Sequence, residues 1–180
     1  MKIRPATLAD LPGMLAIYNE VVANSTAIYA LAPATPDERR AWFAARQAGG
    51  YPVLVVEAGA GVLGYSSFGE FRGAWAGYRH TVEHSVHVRA DARGAGLGAA
   101  LVEALFEPAR AMGKHVMLGA IDAANAGSLR FHARLGFEEA GRFREVGRKF
   151  DRWLDLVFMQ RFLDGAGAEP PVAKAAMPAL

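Results

Sequence analysis

Apolar residues spaced at three and four run through Leu8, Leu11, Leu15, Ile17, Tyr18, Val21 and Val22, and this period predicts a helix over residues 8–23. A short strand at residues 2–4 precedes it. Thr35-Pro36-Asp37-Glu38 joins an N-cap, a proline in the first turn and a capping-box glutamate, so a second helix should run to about Ala48, where Gly49-Gly50 ends it. The pattern then changes. Residues 51–57 and 62–68 are continuous or alternating apolar runs around Gly59-Ala60-Gly61 and predict an antiparallel hairpin. Residues 78–89 form a longer strand candidate, a glycine-rich turn follows at 93–98, and alanines and leucines carry a helix to about Met112, with Pro108 expected to kink it or end it early. Residues 114–121 give the next strand and residues 125–135 a short helix closed by Gly136. Residues 137–146 and 150–163 predict a final antiparallel pair turning at Gly147-Arg148-Lys149.

The order β-α-α-β-β-β-α-β-α-β-β is that of an α+β protein whose mostly antiparallel sheet contains one parallel pair, residues 78–89 with 114–121, joined through a helix. One domain over residues 1–163 and an Ala/Pro-rich tail over 164–180 are expected. The composition fits, because 180 residues with 52% hydrophobic content can bury one sizeable core. A formal net charge of +2 gives no support to nucleic-acid binding. The absence of a long apolar run argues for a cytoplasmic protein with no membrane association. There is no cysteine, so neither a disulfide framework nor a thiolate nucleophile is available.

Chemistry concentrates at Arg93-Gly94-Ala95-Gly96-Leu97-Gly98. Glycines at alternate positions between a strand and a helix let backbone N–H groups converge on an anion, and the helix dipole adds its positive end. The turn predicts a phosphate cradle, and Arg93 adds a charge suited to pyrophosphate. Gly94 to Ala99 also satisfies the dinucleotide pattern, with Asp122 near the place of a ribose-binding acid, but that fold requires repeated βαβ units which the strand order does not supply. A tight strand-to-helix joint without a ligand is the plainer alternative. His80, His84 and His87 do not converge on one face of an ideal strand, and no metal site is expected from them. Arg142, Arg144, Arg148, Lys149 and Arg152 suggest a solvated hairpin rim.

The glycine loop resembles that of the GNAT N-acetyltransferases, and Asn125-Ala-Gly-Ser-Leu-Arg-Phe-His-Ala-Arg-Leu-Gly-Phe137 is similar to the family's next motif. Within the family, the segment around Thr81-Val82-Glu83 is most similar to the phosphinothricin and methionine sulfoximine N-acetyltransferase branch, as are Ala16-Ile-Tyr-Asn19, Trp42-Phe43, Gly64-Tyr65 and Trp153-Leu-Asp155. The resemblance implies a sheet of about seven strands flanked by about four helices, with the parallel pair splayed at an acetyl-CoA site. It implies direct acetyl transfer to the α-amine of a small amino-acid analogue by a homodimer. A peptide N-terminal acetyltransferase and a non-catalytic acyl-CoA sensor are the alternatives.

By the same resemblance, acetyl-CoA would contact Ser85, Val86, His87 and Val88, the loop residues Arg93, Gly94, Ala95, Gly96, Leu97 and Gly98, and Asn125 and Ser128. Backbone amides between Ser85 and Val88 would face the reacting carbonyl. Glu83 would accept the proton of the substrate ammonium, since a partly desolvated carboxylate has a raised pKa, or it would merely pair with Arg72 or Arg79 or orient the ammonium. His132 stands where many relatives carry a tyrosine and would protonate the leaving thiolate, or simply pack beneath the cofactor. The substrate would meet Arg72, Gly73, Ala74, Arg79, Val82, Glu83, His84 and Tyr29, with Arg72 favoured as a carboxylate clamp among Phe71 and Trp75 and a solvated loop arginine as the competing reading.

Overall fold

The protein is described here by a computed structural model covering residues 2–59 and 61–165. Most of the expected tail, residues 166–180, lies outside the described residues. The chain runs β1 (Lys2–Pro5), α1 (Leu11–Asn24), α2 (Pro36–Ala48), β2 (Val53–Glu57), β3 (Val62–Glu70), β4 (Thr81–Val88), α3 (Leu97–Ala111), β5 (Val116–Asp122), α4 (Ala126–Arg134), β6 (Glu138–Lys149) and β7 (Arg152–Phe162). Short 3₁₀ turns precede α1, β4 and the glycine loop. The seven strands form one sheet in the order β1-β2-β3-β4-β5-β7-β6, and every neighbouring pair is antiparallel except β4 with β5.

Side-chain alternation divides the strands between two cores. On β3, Tyr65 and Ser67 face α1 and α2, where Met14, Ile17, Phe43 and Val55 are buried with Tyr65. Phe68 faces the opposite way into the larger core under α3, with Val82, Leu105, Met117 and Phe137. The buried hydroxyls are satisfied: Ser66 donates to Leu101 O at 2.9 Å and Ser67 to Pro52 O at 2.8 Å. The parallel pairing is short. Only Thr81, Val82 and Glu83 are registered with Val116, Met117 and Leu118, and the strands separate beyond that point. Ser85 to Val88 therefore lack a strand on the β5 side, although they stay paired with Ser67 to Gly64 on the other.

Four local expectations are corrected. The first helix begins as a 3₁₀ turn at Leu8–Asp10, and α1 proper starts at Leu11 because Pro12 has no N–H to join a regular helix begun earlier. Pro108 does not end α3 early, since the helix continues past it to Ala111. The final hairpin turns at Phe150-Asp151, two consecutive left-handed residues with φ of 50° and 56°, and not at Gly147-Arg148-Lys149. Gly147 serves another purpose: a Cβ there would come within 2.5 Å of the Tyr29 ring. Lys149, expected at a solvated rim, is only 4% exposed, and its Nζ donates to the carbonyls of Val22, Ser25 and Ile28 at 2.7, 2.9 and 2.7 Å. It ties the end of α1 and the loop that follows to the β6–β7 hairpin.

Candidate active site

Where β4 and β5 part, two clefts meet. One, of about 780 Å3, is lined by Val88, Arg93, Gly94, Gly96, Leu97, Gly98, Phe131 and Arg134. The other, of about 690 Å3, is lined by Glu83, His84, Ser85, Tyr29, Arg39, Trp42, Tyr65 and His132. Ala27, Val86, His87, Asn125 and Ser128 line both. Both volumes fall in the range of small-molecule sites.

The glycine cleft has the form of an anion cradle. Gly94 and Gly96 have φ of +83° and +78°, conformations that a side chain would strain, and a Cβ on either would meet nothing within 4 Å. The loop thus turns tightly and leaves its surface open. Gly96 is the N-cap of α3, and no side chain caps that end, so the first-turn N–H groups are available to a ligand. Gly98 is closer packed, with Phe131 at 3.4 Å from the position of a Cβ. Arg93 is committed elsewhere in part: its Nε donates to Val88 O and its Nη2 to Glu20, each at 3.0 Å. Asn125 caps α4 through its Oδ1, which accepts from Ser128 N at 3.0 Å, while its Nδ2 has no hydrogen bond to the described residues. Asp122, the residue a dinucleotide site would need, is buried and accepts from Thr26 and from Ala124 N. That role and the antiparallel surroundings of β4–β5 dispose of the dinucleotide reading.

Across the junction, Glu83 is half-buried, and loss of solvent pushes its carboxyl pKa up, opposed by the positive charge of Arg46. Val82, one residue before it, points into the α3 core and not into the cavity. His84 lies on that same side, with its ring 5.1 Å from His132 and 5.3 Å from Phe137. Neither His84 nitrogen has a partner among the described residues, and burial pushes its pKa down to about 3. His132 Nδ1 is 2.8 Å from Ser128 O, which requires the proton on Nδ1 and leaves Nε2 bare in the neutral ring. Burial lowers its pKa as well. Both imidazoles crowd Gly119, where a Cβ would lie 3.1 Å from His84 Nε2 and 3.3 Å from His132 Nε2. His87 is wedged between Tyr18 and Tyr65, and burial, with Arg39 and Arg93 nearby, takes it down to about 4.

The remaining sequence candidates divide. Tyr29 lines the cavity, its hydroxyl donating to Asp155 O at 3.0 Å, and burial followed by the charges of Asp122 and Asp155 pushes its pKa up to about 12. Arg72, Gly73, Ala74 and Arg79 are exposed on the β3–β4 connection and line neither cleft. Arg72 lies over the Tyr78 ring, 5.5 Å from its centroid, and Trp75 is exposed, so neither walls the cavity within this chain. Sequence reasoning passed over Arg39 and Arg46. A signal existed, since positions 39, 42 and 46 share one helical face and set two arginines around Trp42 on a helix whose Phe43 is buried.

Residues 15–137 match the acetyltransferase (GNAT) family. The chain belongs to that family. It is 55% identical to the L-methionine sulfoximine/L-methionine sulfone acetyltransferase of Pseudomonas paraeruginosa, over 93% of this chain and 98% of the relative. It is 48% identical to the L-amino acid N-acyltransferase MnaT of Escherichia coli, over 91% and 95%. The crystal structure of a GNAT superfamily phosphinothricin acetyltransferase from Sinorhizobium meliloti in complex with AcCoA superposes with a TM-score of 0.89 at 35% identity, covering 98% of this chain and 95% of that one. The splayed parallel pair expected for the fold is therefore present in a member of the family.

Proposed function

We propose that the protein transfers the acetyl group of acetyl-CoA to the α-amine of a small amino-acid-like substrate of the methionine sulfoximine or phosphinothricin type. The observation that carries this reading is the meeting of the two clefts at Ser85 to Val88, with a glycine cradle on one side and Glu83 on the other. The names of the relatives support the substrate class.

The chain's residues fit acetyl-CoA. Gly94, Gly96 and the uncapped start of α3 would hold its pyrophosphate, Asn125 Nδ2 its pantetheine amides, and the unpaired edge of β4 the arm that lies between the strands. When bound, acetyl-CoA supplies an activated thioester carbonyl. Backbone N–H groups on the open edge at Ser85 to Val88 are fixed donors able to stabilise negative charge on a carbonyl oxygen held there. Glu83 accepts the proton that a substrate ammonium must lose, aided by its raised pKa. His132 is neutral at pH 7 with Nε2 bare, so its geometry suits a hydrogen-bond acceptor better than a proton donor to the thiolate. The chain would act as a homodimer, a reading supported by three exposed aromatic residues on the last hairpin, Phe143, Phe150 and Trp153.

Thiol release with acetyl-CoA and a panel of methionine sulfone, methionine sulfoximine, phosphinothricin, ordinary amino acids, polyamines and peptides tests the assignment. Turnover is expected with the amino-acid analogues. Turnover on peptides alone overturns it, and tight acetyl-CoA binding without turnover would mark a sensor instead. Light scattering should give twice the chain mass of 19.2 kDa, and a monomer would refute the dimer.

A further inference from the structure

Helix α2 brings to the acceptor cavity an arginine that has no anionic partner among the described residues. Arg39 is 5% exposed, and its guanidinium carbon lies 4.2 Å from the ring centroid of Tyr18, 4.7 Å from that of Trp42 and 5.7 Å from that of Tyr65. Among the described residues no carboxylate pairs with it, its Nε is buried without a partner, and the polar group beside it is the Tyr65 hydroxyl. That hydroxyl is buried too, and among the described residues only Arg39 is near enough to bear on it as a hydrogen-bond partner. Both residues line the cavity that contains Glu83.

Aromatic faces stabilise a cation, but they do not accept its N–H groups in the plane of the guanidinium. A buried guanidinium with unmet donors is costly unless an acceptor arrives, and the acceptor that matches its fork is a planar anion with two oxygens. The other guanidinium groups near the cavity are less suited, and Arg134 lines the glycine cleft instead. Arg93 is held by Val88 and Glu20, Arg72 and Arg79 are exposed outside the cavity, and Arg46 does not line it.

We propose that Arg39, with the Tyr65 hydroxyl as a further donor, is the receptor for the carboxylate of the acceptor substrate. The inference deepens the N-acetyltransferase reading above and rests on it. Tyr65 is registered with His87, four residues along β4 from Glu83, a distance of about 13 Å at ~3.3 Å per residue. The carboxylate is thus held toward His87 and the α-amine lies between it and Glu83, beside Ser85. The ammonium N–H bond breaks with its proton passing through one water to the Glu83 carboxylate, and the freed lone pair is left on nitrogen.

The test compares methionine sulfone with its carboxamide on the wild type, Arg39→Gln, Arg39→Lys and Tyr65→Phe. The wild type should favour the acid in kcat/KM by roughly 100-fold, the scale of a lost hydrogen bond to a charged group. In Arg39→Gln that ratio should collapse to within a few-fold, through KM for the acid, with KM for acetyl-CoA unmoved. Arg39→Lys should retain part of the ratio, and Tyr65→Phe should reduce it several-fold. A ratio that persists in Arg39→Gln, a loss shared equally by acid and amide, or a defect confined to acetyl-CoA overturns the proposal. Should Arg39→Gln not fold, an unaltered ratio in both Arg39→Lys and Tyr65→Phe overturns it instead. A wild type that acetylates acid and amide equally well refutes the carboxylate receptor alone, whereas a wild type that acetylates only peptides refutes the functional reading beneath it.

Discussion

Glu83 is under two opposing influences, desolvation raising its pKa and Arg46 lowering it, and the first is the larger. A base with a raised pKa is charged, and active, only above that pKa, so the acid limb of kcat/KM should lie above the ordinary carboxylate range. Glu83→Gln keeps the shape and removes the proton acceptor. Its kcat is expected to fall roughly 10²- to 10⁴-fold, the usual worth of general base catalysis, while KM for acetyl-CoA is spared. Stopped thiol release across pH 5 to 9 gives both readouts; an unchanged rate and pH profile would remove Glu83 from the role of base. At this scale the sequence was informative where a motif fixes a residue, as with Glu83, Asn125 and His132, all of which line the clefts. It was uninformative for Arg39 and Lys149, because a cation on a helix or hairpin looks solvated until the partner surface is known.

At the scale of elements, the glycine turn works by backbone conformation. Gly96 has φ of +78° at the N-cap of α3, so an alanine there costs about 1 kcal/mol in a left-handed conformation or else the loop relaxes and moves the first-turn N–H groups. Gly96→Ala should therefore weaken acetyl-CoA binding about tenfold, with acceptor KM changing little, and calorimetric titration of acetyl-CoA measures it directly. Undiminished acetyl-CoA affinity would refute the cradle. Helix and strand positions were largely legible, since the capping box at Thr35–Glu38 and the spacing in α1 and α3 are local. The last hairpin was not, for a physical reason. Gly147 suggested a turn, but its missing side chain accommodates the Tyr29 ring from the distant α1–α2 loop, and the actual turn is forced on Phe150 and Asp151. The same connection from β3 to β4 that carries Arg72 and Arg79 gave no sequence sign of lying outside the cavity.

Folding keeps three histidines neutral, and this couples the stability of the whole molecule to pH. His84, with a pKa near 3, and His87, near 4, are both depressed chiefly by burial, and His132 is depressed in the same way. In the unfolded chain each would titrate near pH 6.5. Between pH 6.5 and their folded values the unfolded state binds more protons than the folded one, so stability rises with pH across that interval and is lost as pH falls through it. The slope approaches about 1.4 kcal/mol per pH unit for each group fully protonated when unfolded and neutral when folded. Asp10 acts in a separate window. The hydrogen bond from Arg4 lowers it to about 2, so its contribution is present above the ordinary carboxylate pKa and disappears only as pH drops toward 2. Urea midpoints measured from pH 7.5 to 4 should thus fall below about pH 6.5, with the raised pKa of Glu83 offsetting part of the loss. His84→Phe, which suits an apolar site beside Phe137 and lacks a titrating group, should flatten that fall even if its stability at pH 7.5 is altered. An unchanged slope in the variant would show that the imidazole pair over Gly119 is not what sets the acid limit of the fold.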